Sequence, residues 1–190
     1  MVIESRLITV EQLEVMPEDG NRRELINGEV IIEMPPGFEH SVIAGIVVAH
    51  FWRYLASNPI GLAAGEGGYV LRRSPDTVRA PDAAVVLHSS RGSAEIPRTY
   101  LPRAPDLAVE VVSPNVSPND SAIDVADKVS DWLDAGTQLV WVIYPARPML
   151  VAHYPDRTAR RFGHEDLVDA MPVLPGFSML LPDLLRPPKQ

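Results

Sequence analysis

Residues 106–112, Asp-Leu-Ala-Val-Glu-Val-Val, constrain the fold of this chain more than any other stretch. In an extended chain successive side chains alternate between faces, so Asp106, Ala108, Glu110 and Val112 point one way and Leu107, Val109 and Val111 the other. Both faces are mostly apolar, the pattern of a strand inside a sheet that is covered on two sides. The run also sets a problem. Glu110 places a carboxylate in its middle, and a buried charge is costly unless it is paired, hydrogen-bonded or bound to a cation. An edge position, or a salt bridge to one of the many arginines, would solve that problem as a functional site would.

The flanking sequence supplies covering helices and further strands. Thr9-Val10-Glu11-Gln12 has capping-box spacing and opens a short helix that Pro17 ends. Residues 22–26 and 29–34 flank Asn27-Gly28, the pair that best provides the two positive φ angles of a type I′ hairpin turn. A helix is predicted over about residues 39–57, with Ile43, Ile46, Val47, His50, Phe51 and Tyr54 on one stripe and His50 expected in the core. Strands are expected at residues 69–72, 82–88 and 106–113, with an exposed Ser/Pro/Arg-rich excursion at 89–105. A loop over 113–120 leads into a helix at 121–135, closed by Gly136, and then into a hydrophobic strand at 138–144. Two short strands, 149–154 and 158–162, follow. The Pro-rich tail, 182–190, is expected to be flexible.

The resulting order from residue 39 to 144 is helix, strand, strand, strand, helix, strand. It implies an α/β (mixed α+β) fold in which a central mixed sheet is flanked by helices, with an extra N-terminal hairpin and C-terminal strands. A length of 190 residues fits a single domain over 1–190, with its core at about 22–145. The apolar content of 46% excludes wholesale disorder.

Several kinds of chemistry can be set aside. The chain has no cysteine, which excludes disulfides, thiolate metal sites, iron–sulfur clusters and a Cys nucleophile. No Gly-x-Ser-x-Gly elbow is present, and the Gly-rich turn around Glu66 has no Gly-Lys-Ser/Thr after it, so neither a serine hydrolase nor a phosphate loop is indicated. The N-terminus lacks a long apolar run and no stretch is apolar enough to span a bilayer, so a cytoplasmic protein with no membrane role is expected. A net charge of -8 argues against passive binding to polyanions.

What remains is carboxylate chemistry. Asp82 begins the strand that follows Arg79-Ala80-Pro81, and if that strand neighbours residues 106–112, Asp82 and Glu110 converge. Two carboxylates brought together share either a proton or a divalent cation. Oxygen-only ligation favours Mg²⁺ or Mn²⁺ over zinc. Lys128 is one of two lysines among the 17 cationic residues, the other being Lys189 in the tail. Its spacing from Asp124 and Asp131 also suits ordinary helix ion pairs. Arg22, Arg23, Arg72, Arg73 and Arg79 flank the acids and would either form a basic rim for phosphates or pair with the excess acids.

Residues 21–30 (Asn-Arg-Arg-Glu-Leu-Ile-Asn-Gly-Glu-Val), His40, Arg79-Ala80-Pro81-Asp82, Val109-Glu110-Val111-Val112-Ser113-Pro114 and Lys128, with Gly136 and Trp141 downstream, occur here in an order that resembles one large bacterial group. It is the restriction-endonuclease-like group of the PD-(D/E)xK nuclease superfamily, and the resemblance covers roughly residues 24–145. It implies a Mg²⁺-dependent endonuclease that hydrolyses DNA phosphodiester bonds, with Mn²⁺ as a substitute. By the same resemblance Asp82, Glu110 and Glu24, the last an additional N-terminal acid, would hold the metal with the backbone carbonyl of Val111, and His40 would be a lesser contact. Val112 stands where the motif's lysine is expected, and the resemblance implies that Lys128 on the following helix takes over its role. Relatives that cut both strands pair subunits, so a homodimer is expected by analogy. A non-enzymatic binding protein on the same fold, or a nuclease acting on RNA or structured nucleic acid, are the competing readings.

Overall fold

The computed structural model describes residues 7–17, 19–92, 95–113 and 118–186, and of residues 118–122 the backbone only. The chain begins with α1 (Val10–Glu14), whose reciprocal cap joins Thr9 and Gln12 as the sequence predicts. The hairpin β1 (Arg22–Ile26) and β2 (Glu29–Glu33) turns through Asn27 at φ 53° and Gly28 at φ 83°. Then come α2 (Phe38–Ser57), β3 (Gly61–Ala64), β4 (Tyr69–Arg72), β5 (Thr77–Arg79), β6 (Ala83–Leu87), α3 (His88–Arg91) and β7 (Leu107–Val111). The second half adds α4 (Pro118–Asp134), β8 (Leu139–Tyr144), β9 (Met149–His153), β10 (Ala159–Phe162), β11 (Leu167–Ala170), β12 (Leu174–Leu180) and α5 (Leu181–Leu185).

The large sheet has the order β10-β9-β8-β7-β6-β3. Only β7 and β8 run parallel, joined by α4 as the crossover, and the other pairs are antiparallel. This is the mixed sheet expected from the sequence, with β7 buried along its whole length between β6 and β8. The alternation of β7 sorts its residues between two cores. Leu107, Val109 and Val111 face α2, where Ile43, Val47 and Phe51 meet Trp141 and Ile143. Ala108 faces α4, where Val129, Trp132 and Leu133 cover Ala84, Val140 and Val142. A second sheet, β2-β1-β5-β4, packs Leu25 and Val78 on Val10 and Leu13 of α1.

For the strands of the large sheet with α2 and α4, the helix-strand-strand-strand-helix-strand order holds, with β3 as its first strand, while β4, β5 and α3 intervene in the chain. Tyr69–Arg72, expected in that place, lies in the smaller sheet. The segment 89–105 is not wholly exposed: it starts in α3, Ala104 is buried, and Leu101 bridges Tyr69. Of the predicted 113–120 loop, residues 114–117 lie outside the described residues and α4 already begins at Pro118. The expectation of a flexible tail fails for its first part, because α5 packs against α2 with Leu181 and Leu184 fully buried. Residues 187–190 lie outside the described residues. His50 is only half-buried and its Nε2 lies 3.3 Å from the Asp183 carbonyl, so it is not the core histidine the stripe suggests. Among the described residues no helix is long and apolar enough to cross a membrane.

Candidate active site

The register Ala83↔Val109 between β6 and β7, continued by one residue, sets Asp82 opposite Glu110. Both acids thus sit at one end of the central sheet, Asp82 just before β6 begins and Glu110 one residue before β7 ends. The Asp82 amide donates to the Val109 carbonyl at 2.9 Å, and the Val111 amide donates to Asp82 Oδ2 at 2.7 Å. The Asp82 carboxylate therefore takes the place of a ladder carbonyl where the backbone pairing stops, which fixes its position. A cleft of about 490 Å³ opens here, lined by Arg22, Glu33, His40, Asp82, Glu110 and Lys128 together with the backbone turn from Met34 to Gly37.

Each acid has its own surroundings. Asp82 is 5% exposed, with His40 Nε2 3.1 Å from Oδ2 and an Arg22 nitrogen 3.6 Å from Oδ1. Burial alone would raise its pKa, but the hydrogen bonds from His40 and Val111 and the nearby positive charges outweigh burial and lower it. His40 is raised for the reciprocal reason: burial opposes the imidazolium, and the hydrogen bond and charge of Asp82 more than offset that. Glu110 is different. Burial pushes its carboxyl up to about 7, Lys128 and the Trp132 indole work against that, and the charges of Asp82 and Glu24 add to it. The Trp132 Nε1–H donates to Glu110 Oε1 at 2.8 Å, while Lys128 Nζ stands 3.6 Å from Oε2. Burial disfavours the Lys128 ammonium, yet Glu110, Glu24 and Glu33 around it raise its pKa, so it stays charged.

The structure thus brings Asp82, Glu110, Lys128, His40 and the backbone of Val111 together in the cleft, and sets Glu24 outside its lining but near enough for its charge to act on Glu110 and Lys128. Glu24 is 1% exposed and both its oxygens are engaged: Arg79 donates to Oε2 at 2.7 Å and the Ala80 amide to Oε1 at 2.9 Å. Arg79 also donates to Asp131 Oδ2 of α4 at 2.9 and 2.7 Å. Glu24 braces the Arg79–Ala80 segment that leads to Asp82, and it does not line the cleft. The basic rim is likewise mostly absent. Arg23 pairs with Asp19, Arg73 with Glu11 and Asp76, and Arg72 donates to Asn27 and Thr77, so of the flanking arginines only Arg22 reaches the cleft.

Sequence reasoning missed Glu33 and Trp132. Glu33, at the end of β2, has Oε2 2.9 Å from Arg22 Nε and Oε1 3.1 Å from Lys128 Nζ. Nothing in an alternating hairpin strand marks it. Trp132 carried a usable signal, since it lies four residues after Lys128 and so on the same helical face.

Among the described residues no three His, Asp or Glu side chains are preassembled around a metal position. The donor chemistry nevertheless fits a hard cation. Asp82 Oδ1 and Glu110 Oε2 have, among the described residues, only ion contacts at 3.6 Å, too long for hydrogen bonds, so each keeps lone pairs for another partner. Oxygen donors of this kind suit Mg²⁺ or Mn²⁺.

A family model described as "Uma2: Putative restriction endonuclease" matches residues 10–183. Among solved structures, the chain is similar to a putative nuclease belonging to DUF820 from Anabaena variabilis, at 25% identity and a TM-score of 0.79. The alignment covers 94% of this chain and 97% of that one. No curated protein matches the chain. With nearly its whole folded length matched, the chain belongs to the Uma2 family, whose members are described as putative restriction endonucleases.

Proposed function

We propose that this protein is a Mg²⁺-dependent endonuclease that hydrolyses DNA phosphodiester bonds in the cytoplasm, with Mn²⁺ able to substitute. The observation that carries the reading is the meeting of Asp82 and Glu110, from two adjacent strands, with the Lys128 ammonium from α4 in one cleft. Asp82, Glu110 and the Val111 carbonyl would hold the metal. When bound there, the ion neutralises charge on the phosphate and makes water easier to deprotonate near neutral pH.

The other roles belong to the chain itself. The Val111 amide and His40 orient Asp82 so that Oδ1 is presented to the cleft. Trp132 holds Glu110 Oε1, which leaves Oε2 for the same space. Lys128 supplies a fixed positive charge for the phosphate oxygens as negative charge grows on them. That charge comes from α4 while Val112, just past the end of β7, occupies the motif position, which supports the reading of a displaced lysine. His40, beside the Val111 backbone and 3.1 Å from Asp82 Oδ2, positions that carboxylate at the cleft. Cutting both strands of a duplex calls for two such sites, which a homodimer supplies.

The test is nicking of supercoiled plasmid by wild type, Asp82→Asn, Glu110→Gln and Lys128→Met with Mg²⁺, Mn²⁺ or chelator, together with thermal unfolding in a Mn²⁺ series. Expected is metal-dependent nicking that each substitution reduces by about 100-fold or more. Mn²⁺ at about 100 times its dissociation constant should stabilise wild type by roughly 2.7 kcal/mol, an effect lost in Asp82→Asn and Glu110→Gln. Nicking that all four proteins share equally would refute the assignment, and cleavage of RNA alone would move the substrate.

A further inference from the structure

We propose that Arg22 and Lys128 form a phosphate subsite whose resident occupant is Glu33, and that the substrate must displace this carboxylate to bind. The inference rests on the reading above that the cleft takes a phosphodiester. Its basis is a bridge: one oxygen of Glu33 lies 2.9 Å from Arg22 Nε and the other 3.1 Å from Lys128 Nζ. A guanidinium and an ammonium held by two oxygens of one anion is the arrangement that two non-bridging phosphate oxygens would satisfy equally well.

Both cations are anchored independently of Glu33. Arg22 also donates to the Ala80 carbonyl and faces Asp82 at 3.6 Å, and Lys128 faces Glu110 at 3.6 Å. When Glu33 leaves, they therefore stay directed at the cleft between the two acids. Glu33 itself is free to leave. It is the last residue of β2, its side chain is 23% exposed, and among the described residues these two cations are its only ion partners. Its departure breaks no other ion pair among the described residues.

The charge balance of the cleft says why such an occupant has a consequence. The lining carries the carboxyl groups of Glu33, Asp82, Glu110 and Asp124 against Arg22, Lys128 and the His40 imidazole, in a chain of net charge -8. Burial pushes Glu110 up to about 7, and Asp82 favours His40 in its charged form against burial. At rest Glu33 stands beside both cations, although Arg22 Nε, 2.9 Å from it, makes no hydrogen bond among the described residues and so keeps a donor for another anion. Glu33 thus restrains binding, and a substrate phosphate competes with it directly. A purely structural latch between the hairpin and α4 would have the same contacts but a different prediction: its loss would cost stability and bring no gain in anion affinity.

The experiment measures binding of orthophosphate and of a short labelled DNA duplex, in chelator, to wild type, Glu33→Gln, Glu33→Asp and Glu29→Gln. Glu29 is exposed on the same strand and its substitution changes the net charge equally without touching the cleft. Glu33→Gln should bind orthophosphate about fivefold more tightly than wild type, the size expected from removing competing part-exposed ion pairs. Glu29→Gln should stay within about twofold of wild type, since a distant surface charge is screened. Glu33→Asp, which keeps the charge, should bind no more tightly than wild type. Equal affinities for Glu33→Gln and Glu29→Gln, or a Glu33→Gln protein that no longer folds, would overturn the inference. A gain for orthophosphate with no duplex binding by any form would leave the subsite standing and refute the DNA reading. Duplex binding by wild type with no gain in Glu33→Gln would do the reverse.

Discussion

The Glu110 carboxyl makes the metal-free protein lose stability as pH rises, and Glu110→Gln should remove that loss. In the fold this carboxyl titrates at about 7, chiefly because it is buried, against an ordinary value of 4.5 in the unfolded chain. Below pH 4.5 it is neutral in both states and its contribution to stability is fully present. Between 4.5 and about 7 the unfolded chain gives up the proton while the folded one keeps it, so stability falls with rising pH. Above 7 the loss is complete, and the gap between the two values corresponds to about 3 kcal/mol. Gln keeps the shape and the Trp132 hydrogen bond without the charge. Lys128 loses a partner in the variant but remains paired with Glu33, which adds an offset that does not change over this range. The assay is urea unfolding in chelator from pH 4.5 to 8, fitted for both proteins. The stability of Glu110→Gln minus that of wild type should climb by about 3 kcal/mol over the window, or about 6–12 °C in melting temperature for a chain of this size. Because Asp82 and Glu110 interact, the midpoint belongs to the pair. A difference that stays flat within about 1 kcal/mol, or that falls as pH rises, would refute the argument that burial governs this carboxyl.

Three further outcomes follow from the same contacts. Trp132→Phe removes the only N–H that holds Glu110 Oε1 among the described residues, so urea unfolding should show a loss of about 1–3 kcal/mol at pH 8 and a smaller one at pH 5, where the carboxyl is neutral. Arg79→Met leaves Glu24 buried without its cation and should cost about 3–5 kcal/mol by the same assay, part of which Glu24→Gln in the same chain should restore. Leu184→Ala should cost about 2–5 kcal/mol, because Leu184 is fully buried in α5; a loss of under about 0.5 kcal/mol would mean that the tail does not dock.

The parts of the fold that could be read in advance are those where a local rule and the tertiary structure agree. Asn27-Gly28 demands a turn that only a hairpin uses, and the two-sided apolar run of β7 can be satisfied only inside a covered sheet. Strand β3 had no such mark. Gly61-Leu62-Ala63-Ala64 shows neither β-branching nor alternation, and it is a strand because it pairs with β6 in the register Gly61↔Leu87. Asp82 and Glu110 were legible because a carboxylate in an apolar setting is a contradiction that needs a cause. Glu24 was reached only through the family resemblance, and its pairing with Arg79, 55 residues away, was not legible in the sequence. The role of Glu33 depends on the hairpin leaning over α4, which no pattern within β2 reports.

The cleft shows how a carboxylate pair can be built into a sheet end before any divalent ion arrives. Asp82 and Glu110 repel each other and are both nearly buried, an arrangement too costly to persist alone. The opposing charges come from three separate elements: Arg22 on β1, His40 on α2 and Lys128 on α4. None of the three lies close to either acid in the sequence, so the neutralisation exists only when hairpin, helix and crossover are all in place. A divalent cation held by Asp82 and Glu110, as proposed, would not enter an empty negative hole: Arg22 and Lys128 stand 3.6 Å from the two carboxylates, and a phosphate would be the anion suited to these cations.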